Sequence, residues 1–475
     1  MAEVLTPDIC VIGAGSGGLS VAAAAAAFGV PVVLIEKGKM GGDCLNYGCV
    51  PSKALIAAAR RAEGSRRSGP FGVAPQRAAI DFAKVHGHVH GVIAGIAPVD
   101  SKERFTGLGV HVIAGTARFT GRNTVAVGDD VTIKARRFVI ATGSSPAIPP
   151  IEGLAGTPHL TNETIFDLTR APEHLIIIGA GPIGLELAQA HRRLGAEVTV
   201  LEAATPLAKD DPECAAVVLD QLAREGITIR TGVEVVRVEN AAPKVRVVVK
   251  SADQEQTIDG THLLVAAGRH ANVEGLDLAA AGVKHERRGI VVDSGLTTSN
   301  RKIFAIGDAV GAAQFTHVAN YHAGIVVRRA LFRLPAKVRE DVIPWVTYTD
   351  PELAHVGLTE EAARKRHREI RVLRAPFHDN DRAQAERETR GHVKAITTPK
   401  GIVLGATIVG PHAGELITPW TLAIQQQLKV RAVAELIVPY PTLSEISKRA
   451  AVGYFTPGLT SPMLRRIITF LRRFG

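Results

Sequence analysis

The chain has 475 residues, 46% hydrophobic and 21% charged. That composition excludes a disordered, collagen-like or disulfide-scaffold protein, and the length calls for about two to four domains. The formal net charge of +10 is uneven: no acidic residue follows Glu445, whereas Lys448, Arg449, Arg465, Arg466, Arg472 and Arg473 do. With no zinc, RNP or helix-turn-helix signature beside it, this charge does not indicate a nucleic-acid partner. No stretch reaches about 18 uninterrupted apolar residues, and the opening Met-Ala-Glu-Val-Leu-Thr-Pro-Asp has no basic n-region, so a cytoplasmic protein without a membrane span is expected.

In chain order, Val4–Val11 is an apolar strand running into Gly13-Ala-Gly15-Ser-Gly-Gly18, followed by a helix of small residues from Leu19 to Phe28 and a strand Val32–Ile35 ending at Glu36. Leu175–Ile178, Gly179-Ala-Gly181-Pro-Ile-Gly184, a second helix and Glu197–Leu201 ending at Glu202 repeat the pattern, and in both copies the first glycine and the acid are 23 residues apart. Gly13 and Gly179 permit a tight turn, Gly15 and Gly181 let backbone N–H groups approach a pyrophosphate, and Gly18 and Gly184 let helix and sheet pack closely. Glu36 and Glu202 can accept hydrogen bonds from ribose hydroxyls. One G-x-G-x-x-G is weak evidence; two, each between a strand and a helix with the acid at the right distance, predict two dinucleotide sites.

Between the copies lies Gly41-Gly-Asp-Cys44-Leu-Asn-Tyr-Gly-Cys49-Val-Pro-Ser-Lys53. Two thiols this close can form a ring disulfide if the backbone brings their Cβ atoms to roughly 4 Å, which one helical turn would do. Cys10, in an apolar strand, and Cys214, in a helical stretch, read as packing residues, so the pair reads as a redox centre able to exchange two electrons with a flavin. His86, His88 and His90 alternate, and His86 and His90 would share a helix face; packed or solvated histidines are the plainer reading, and no metal ligands are assigned. His378, Asp379, Asp381 and Glu386 read as a solvated loop. From Pro462, Leu464, Ile467, Ile468 and Leu471 fall at helical spacing with arginines recurring at seven. This basic amphipathic tail could lie peripherally on an anionic membrane face or pack on its own protein.

The run Gly-Gly-x-Cys-x-x-x-x-Cys-Val-Pro-Ser-Lys resembles the redox loop of the class I pyridine nucleotide–disulfide oxidoreductases, the family of dihydrolipoyl dehydrogenase, glutathione reductase and mercuric reductase. The resemblance implies an α/β fold with two Rossmann-like dinucleotide-binding domains and a C-terminal α+β interface domain. The implied divisions are residues 1–150 and 271–342 for FAD, 151–270 for NAD, 343–460 for dimerisation and 461–475 for the basic tail. It implies a homodimeric flavoprotein, active in cell redox homeostasis, that acts on a small disulfide, dithiol or thiol-reactive substrate. Ala141-Thr142-Gly143 resembles the return of the chain to FAD, Gly268 in Ala267-Gly268-Arg269 its counterpart in the second fold, and Gly307-Asp308 the late motif whose Asp binds the ribityl chain. By the same resemblance Cys49 faces the flavin, Cys44 meets the substrate, and Lys53 lies near flavin N5 and pairs with Glu186. Glu202, with no Arg in the Ala-Ala-Thr-Pro-Leu-Ala that follows, favours NAD over NADP because a carboxylate repels a 2′-phosphate.

One departure stands near the C-terminus. Where dihydrolipoyl dehydrogenase and glutathione reductase carry a His before Pro-Thr and then a Glu, this chain has Tyr440-Pro441-Thr442-Leu443-Ser444-Glu445. Phenol titrates near 10 and imidazole near 6.5, so Tyr440 is a poor base for oxidising a dithiol. A Tyr there resembles mercuric reductase, yet no cysteine follows Cys214, whereas that enzyme uses a C-terminal pair. Dihydrolipoyl dehydrogenase activity, mercuric reduction, membrane-associated electron transfer to quinone and a redox-sensing subunit stay open, as does the direction of electron flow.

Overall fold

A computed structural model describes residues 3–76, 79–251, 254–459 and 461–474; Gly475 of the basic tail and the first two residues lie outside the described residues. The chain divides into two compact units, Met1–Gly179 with Ala190–Ala203 and Gly232–Val338, and Ala180–Gln189 with Ala204–Thr231 and Arg339–Gly475.

The first unit is built on a five-stranded parallel sheet in the order Ile303–Ala305, Arg137–Ile140, Ile9–Ile12, Val32–Glu36, His111–Ala114. Strands of a parallel sheet are covered on both faces and so read as continuous apolar runs; Ile9, Cys10 and Val11 are fully buried. The register sets Ile12 beside both Ile35 and Ile140, so Gly13, Glu36 and Ala141 emerge together at the carboxyl edge, where open α/β sheets bind ligands. The helix Ser16–Ala27 lies close beside the helix Thr316–Ala330 because its residues are small: a Cβ on Gly17 would come 3.0 Å from Ile306 Cδ1 and 3.3 Å from Ala319 Cβ.

The expected strand Val4–Val11 is two strands in different sheets. Glu3–Leu5 pairs with Val131–Ile133, and only Ile9–Ile12 enters the parallel sheet. Pro7, which has no N–H to donate, sits at the break. The second nucleotide fold repeats the first: Glu197–Glu202, His174–Ile178 and His262–Val265 run parallel, and Leu175, Ile176 and Ile177 are fully buried. An antiparallel meander, Glu234–Ala241, Lys244–Ser251 and Gln254–Gly260, is inserted before the last of these.

The second unit holds an antiparallel sheet in the order Trp345–Thr347, Glu352–Gly357, Val403–Gly410, His392–Thr397, Arg371–Pro376. With its flanking helices it has the α+β character implied for the C-terminal domain. The fully buried Trp420 satisfies its indole by donating to Ser447 Oγ at 3.0 Å. Residues 180–189 group here because Glu186 Oε1 accepts from the Tyr348 N–H at 2.9 Å and the Gln189 amide exchanges two 2.8 Å bonds with the Asp350 backbone. The tail forms a helix, Pro462–Leu471, with no buried residue. No helix among the described residues is long and apolar enough to cross a membrane.

Lys394 is the electrostatic centre of this unit. Only 5% exposed, it reaches Asp211 at 2.8 Å, Glu360 at 2.8 Å and Glu213 at 3.0 Å. Burial disfavours its charge, and the hydrogen bonds it donates to these carboxylates more than offset this, so its pKa lies above the ordinary lysine value. Asp211 meanwhile caps the helix Pro212–Arg224 through the N–H groups of Glu213 and Cys214. Lys394→Met leaves the 1%-exposed Asp211 carboxylate without its cation, which should cost about 3 kcal/mol or more. Scanning calorimetry of parent and variant checks this; midpoints within about 1 °C of each other would show that the carboxylates find other partners.

Candidate active site

The redox loop begins on a backbone contact with the first nucleotide loop. Gly41 and Gly42 have φ of +85° and +60°, a region L side chains rarely adopt. The Gly41 N–H donates to Ala14 O at 3.0 Å, and a Cβ on Gly42 would lie 2.7 Å from Gly15 Cα. Cys44 follows in the short helix Gly42–Asn46, and Cys49 opens the helix Cys49–Arg66. The two cysteines are thus not on one helical turn, as the spacing had suggested. The chain breaks at Gly48, where a Cβ would fall 2.8 Å from Asp43 Oδ2.

The Cys44 and Cys49 side chains lie in hydrogen-bonding contact, the arrangement of a dithiol. Cys49 Sγ also lies 3.4 Å from Thr316 Oγ1. The two thiols are polarised in opposite directions. The hydrogen bond from Cys44 lowers the Cys49 pKa to about 6 against the opposing effect of burial, with help from Thr316 and the Lys53 charge. The same bond and burial hold Cys44 well above the ordinary thiol range. Cys49 also occupies the first position of its helix, where unsatisfied N–H groups favour a thiolate. Cys10 and Cys214 are buried, and burial pushes both thiols up, consistent with packing roles.

The first cradle is shaped by steric necessity. Gly13 has φ +106°, its N–H donates to Ile35 O at 2.8 Å, and a Cβ there would meet Ala141 O at 2.4 Å. A Cβ on Gly18 would meet Gly13 O at 1.9 Å, whereas at Gly15 the nearest such neighbour is Gly42 Cα at 3.9 Å, leaving room for a close-lying ligand. Glu36 accepts from the Ala14 N–H at 2.6 Å and the Gly38 N–H at 2.7 Å, which aims its carboxylate beside the loop. Open backbone at Gly15, an acid at the end of the second strand and a half-buried carboxylate at Asp308 fit a flavin adenine dinucleotide.

A polar chain ties the late motif to the redox loop. Ser144 Oγ donates to Asp308 Oδ2 at 2.6 Å and accepts from Arg269 Nε at 2.8 Å. Arg269 Nη2 reaches Asp43 Oδ1 at 3.1 Å, and the Asn162 amide donates to Asp43 Oδ1 and Tyr47 O, both at 3.2 Å. Asn272 clamps the Ala141-Thr142-Gly143 return by donating to Thr142 O at 3.1 Å while its own carbonyl accepts from Thr142 Oγ1 at 2.6 Å. The Gly307 N–H donates to Nδ1 of His322, 2% exposed, whose pKa burial lowers to about 4, so the ring is a neutral acceptor. Thr316, Ser144, Asn162, Asn272 and His322 were not found from sequence. Ser144 and Asn272 adjoin motifs already noted; no local pattern marks the other three.

Three distances of the second nucleotide loop match those of the first to within a tenth of an ångström. Gly179, at φ +110°, donates to Leu201 O at 2.8 Å, and a Cβ there would meet Ala266 O at 2.4 Å. Leu185 N bonds Gly181 O at 3.0 Å as Leu19 N bonds Gly15 O at 2.9 Å. Gly184 lies in the helix Pro182–Arg193, Glu202 ends its strand as Glu36 ends the first, and Gly268, at φ +125°, follows the strand His262–Val265.

Tyr440, Glu445 and Glu186 belong to the second unit, the cysteine pair and Lys53 to the first. Tyr440 is 71% exposed, and its hydroxyl donates to Asp381 Oδ2 at 3.1 Å; that bond and the Asp381 charge raise its pKa further. Asp381, read from sequence as part of a solvated loop, is therefore Tyr440's partner. Glu445 opens the helix Glu445–Val452. The His86 and His90 rings lie 4.1 Å apart, tilted by 40°, with His90 Nε2 3.2 Å from Phe166 O. No group of three or more His, Cys, Asp or Glu among the described residues could hold a metal ion.

Comparison with known proteins agrees with this geometry. Residues 7–323 match the pyridine nucleotide-disulphide oxidoreductase family and residues 343–451 its dimerisation domain. Mercuric reductase of Streptomyces lividans is 35% identical over 94% of this chain and 95% of its own length. Dihydrolipoyl dehydrogenase of Geobacillus stearothermophilus is 35% identical over 95% and 97%. Among solved structures, the HOCl-induced flavoprotein disulfide reductase RclA from Escherichia coli superposes with a TM-score of 0.83 at 28% identity, covering 94% of this chain and 99% of that one. LpdA from Mycobacterium tuberculosis superposes with a TM-score of 0.86 at 27% identity, covering 94% and 99%. The chain belongs to the pyridine nucleotide-disulphide oxidoreductases, flavin-dependent enzymes that use NAD(P) as co-substrate.

Proposed function

We propose that this protein is an NADH-linked reductase of a small disulfide or other thiol-reactive acceptor, working through the Cys44–Cys49 couple. The observation that carries this is the polarised pair: a low-pKa Cys49 in contact with a high-pKa Cys44. Bound FAD supplies two-electron transfer between nicotinamide and sulfur. Gly13, Gly15, Gly18, Glu36, Ala141, Thr142, Gly143, Gly307 and Asp308 would hold it, with Cys49 and Lys53 toward its ring. Residues 1–150 with 271–342 would form this domain, 151–270 the NAD domain and 343–460 the interface of a homodimer.

The chain's own chemistry is thiol–disulfide exchange. Cys44 passes its proton across their hydrogen bond to the Cys49 thiolate, and the Cys44 thiolate so formed attacks one sulfur of the acceptor disulfide, expelling a first thiolate that takes the proton back from Cys49 and leaving a mixed disulfide. The Cys49 thiolate then attacks Cys44 sulfur, expels the second, and closes the Cys44–Cys49 bond. Two electrons have moved to the acceptor, and the Cys44 proton and one from solvent leave on the two released thiols. Exchange is favoured by an attacking thiolate populated at ambient pH, which a Cys49 pKa near 6 provides for the second, ring-closing attack.

Tyr440 supports reduction rather than dithiol oxidation. Oxidising a dithiol needs a base to take its protons, and a phenol bonded to Asp381 is a weaker base at neutral pH than a free one. Glu202 supports NADH. Lys53 would pair with Glu186 beside the flavin, and Glu445 would act with Tyr440.

In enzyme reduced anaerobically by NADH, the long-wavelength absorbance of a thiolate against the flavin should be present at neutral pH and disappear as pH falls through about 6; a midpoint near the ordinary thiol value of about 8.5 would contradict the polarised pair. Cys49→Ser should abolish the band, and either cysteine substitution should abolish disulfide reduction. Glu202→Ala should cut the kcat/KM preference for NADH over NADPH by about tenfold or more; an unchanged ratio would remove Glu202 from that role. Tyr440→His should raise dihydrolipoamide oxidation about a hundredfold, and no gain at any pH would count against Tyr440 occupying the base position.

A further inference from the structure

Four arginines converge at the edge of the parallel sheet opposite the nucleotide loops. Arg137 is the first residue of the strand Arg137–Ile140, whose other end leads to Ala141, so about 13 Å of strand separates it from the first cradle. Arg301 precedes the strand Ile303–Ala305, Arg329 lies in the last turn of the helix Thr316–Ala330, and Arg333 follows that helix. With Asp293 and Thr297 they line a cleft of about 530 Å³, a size typical of small-molecule sites. Every one of these residues lies in the first unit.

The arginines lack counter-ions. Among the described residues, no carboxylate forms an ion pair with any of the four. The one acid present, Asp293, spends Oδ1 on the N–H groups of Gly295 at 2.8 Å and Thr297 at 2.9 Å. Arg329 donates to Thr297 Oγ1 at 3.2 Å and Ala336 O at 3.3 Å, but its buried Nε has no acceptor. Its guanidinium lies against Gly295, where a Cβ would come 2.3 Å from Cζ. Burial, then the Arg136 and Arg333 charges, lower the Arg137 pKa, the sign of a cation among cations. The helix C-terminus accounts for the position of Arg329 but not for Arg137 and Arg301, which come from two strand starts.

From this geometry we infer a second anion site in this protein, separate from both dinucleotide cradles, that binds a small polyphosphate. Guanidinium forks match phosphoryl oxygens bidentately, and four of them against one aspartate suit two or three phosphoryl groups better than one. The concave, single cluster fits a small molecule rather than a nucleic-acid backbone, which needs a track of cations.

Titration calorimetry of the FAD-loaded, full-length protein with inorganic tripolyphosphate, at about 0.15 M ionic strength, tests this. Saturable binding of one anion per chain is expected. Arg301→Ala with Arg333→Ala should weaken it about tenfold or more, with kcat/KM for NADH unchanged, and Arg333→Glu alone should weaken it likewise. Both residues are exposed, so the variants should melt with the parent. A parallel titration with ATP shows whether a nucleoside adds to the phosphate contacts; equal or tighter binding that the same substitutions abolish supports the site. Absence of saturation, binding that survives the substitutions, displacement by NADH, or tighter binding of a DNA duplex than of tripolyphosphate would each overturn it.

Discussion

The constraint that joins the redox loop to the first nucleotide loop is the meeting of two backbones at Gly15 and Gly42. A Cβ at Gly42 would sit 2.7 Å from Gly15 Cα, and the Gly41 N–H bonds Ala14 O. No side chain can be placed in that seam. Once it closes, the segment carrying Cys44 and Cys49 is anchored directly to the loop that would cradle the FAD pyrophosphate. On the proposed function, the seam would make the thiol pair a part of the nucleotide site.

The rest of the first unit holds that arrangement in place. Asp308, Ser144, Arg269, Asp43 and Asn162 form a hydrogen-bonded chain from the late motif to the redox loop, and Asn272 fastens the return strand. Such residues would act by positioning, since a displacement of about 1 Å can cost a hundredfold in rate. The electrostatics then divide the labour between two chemically identical thiols: one donates, sits high and stays protonated; the other accepts, stands at a helix N-terminus near Lys53 and ionises.

The relatives at 35% identity include both mercuric reductases and dihydrolipoyl dehydrogenases, so overall similarity does not choose a substrate. The residues that would choose it lie in the C-terminal unit. Tyr440, hydrogen-bonded to Asp381, stands where the resemblance places an imidazole base, and on the proposed function it would favour electron delivery to an acceptor. The arginine cleft stands apart from all of this: none of its four cations has a carboxylate ion-pair partner among the described residues, and that is what led us to propose a bound anion there.

Much of this was legible in the chain itself. The paired glycine fingerprints with their acids 23 residues on and the Cys44–Cys49 loop carry their chemistry in local spacing, because a strand–turn–helix and a two-thiol ring are each completed within a few dozen residues. The split of the first strand at Pro7, the separate helices of the two cysteines, and Thr316 beside Cys49 were decided only by tertiary structure. So were the partnership of Tyr440 with Asp381 and the convergence of Arg137, Arg301, Arg329 and Arg333. Each depends on segments tens to hundreds of residues apart being brought together, and no local period or motif encodes a contact whose two halves are joined only when the sheet is assembled.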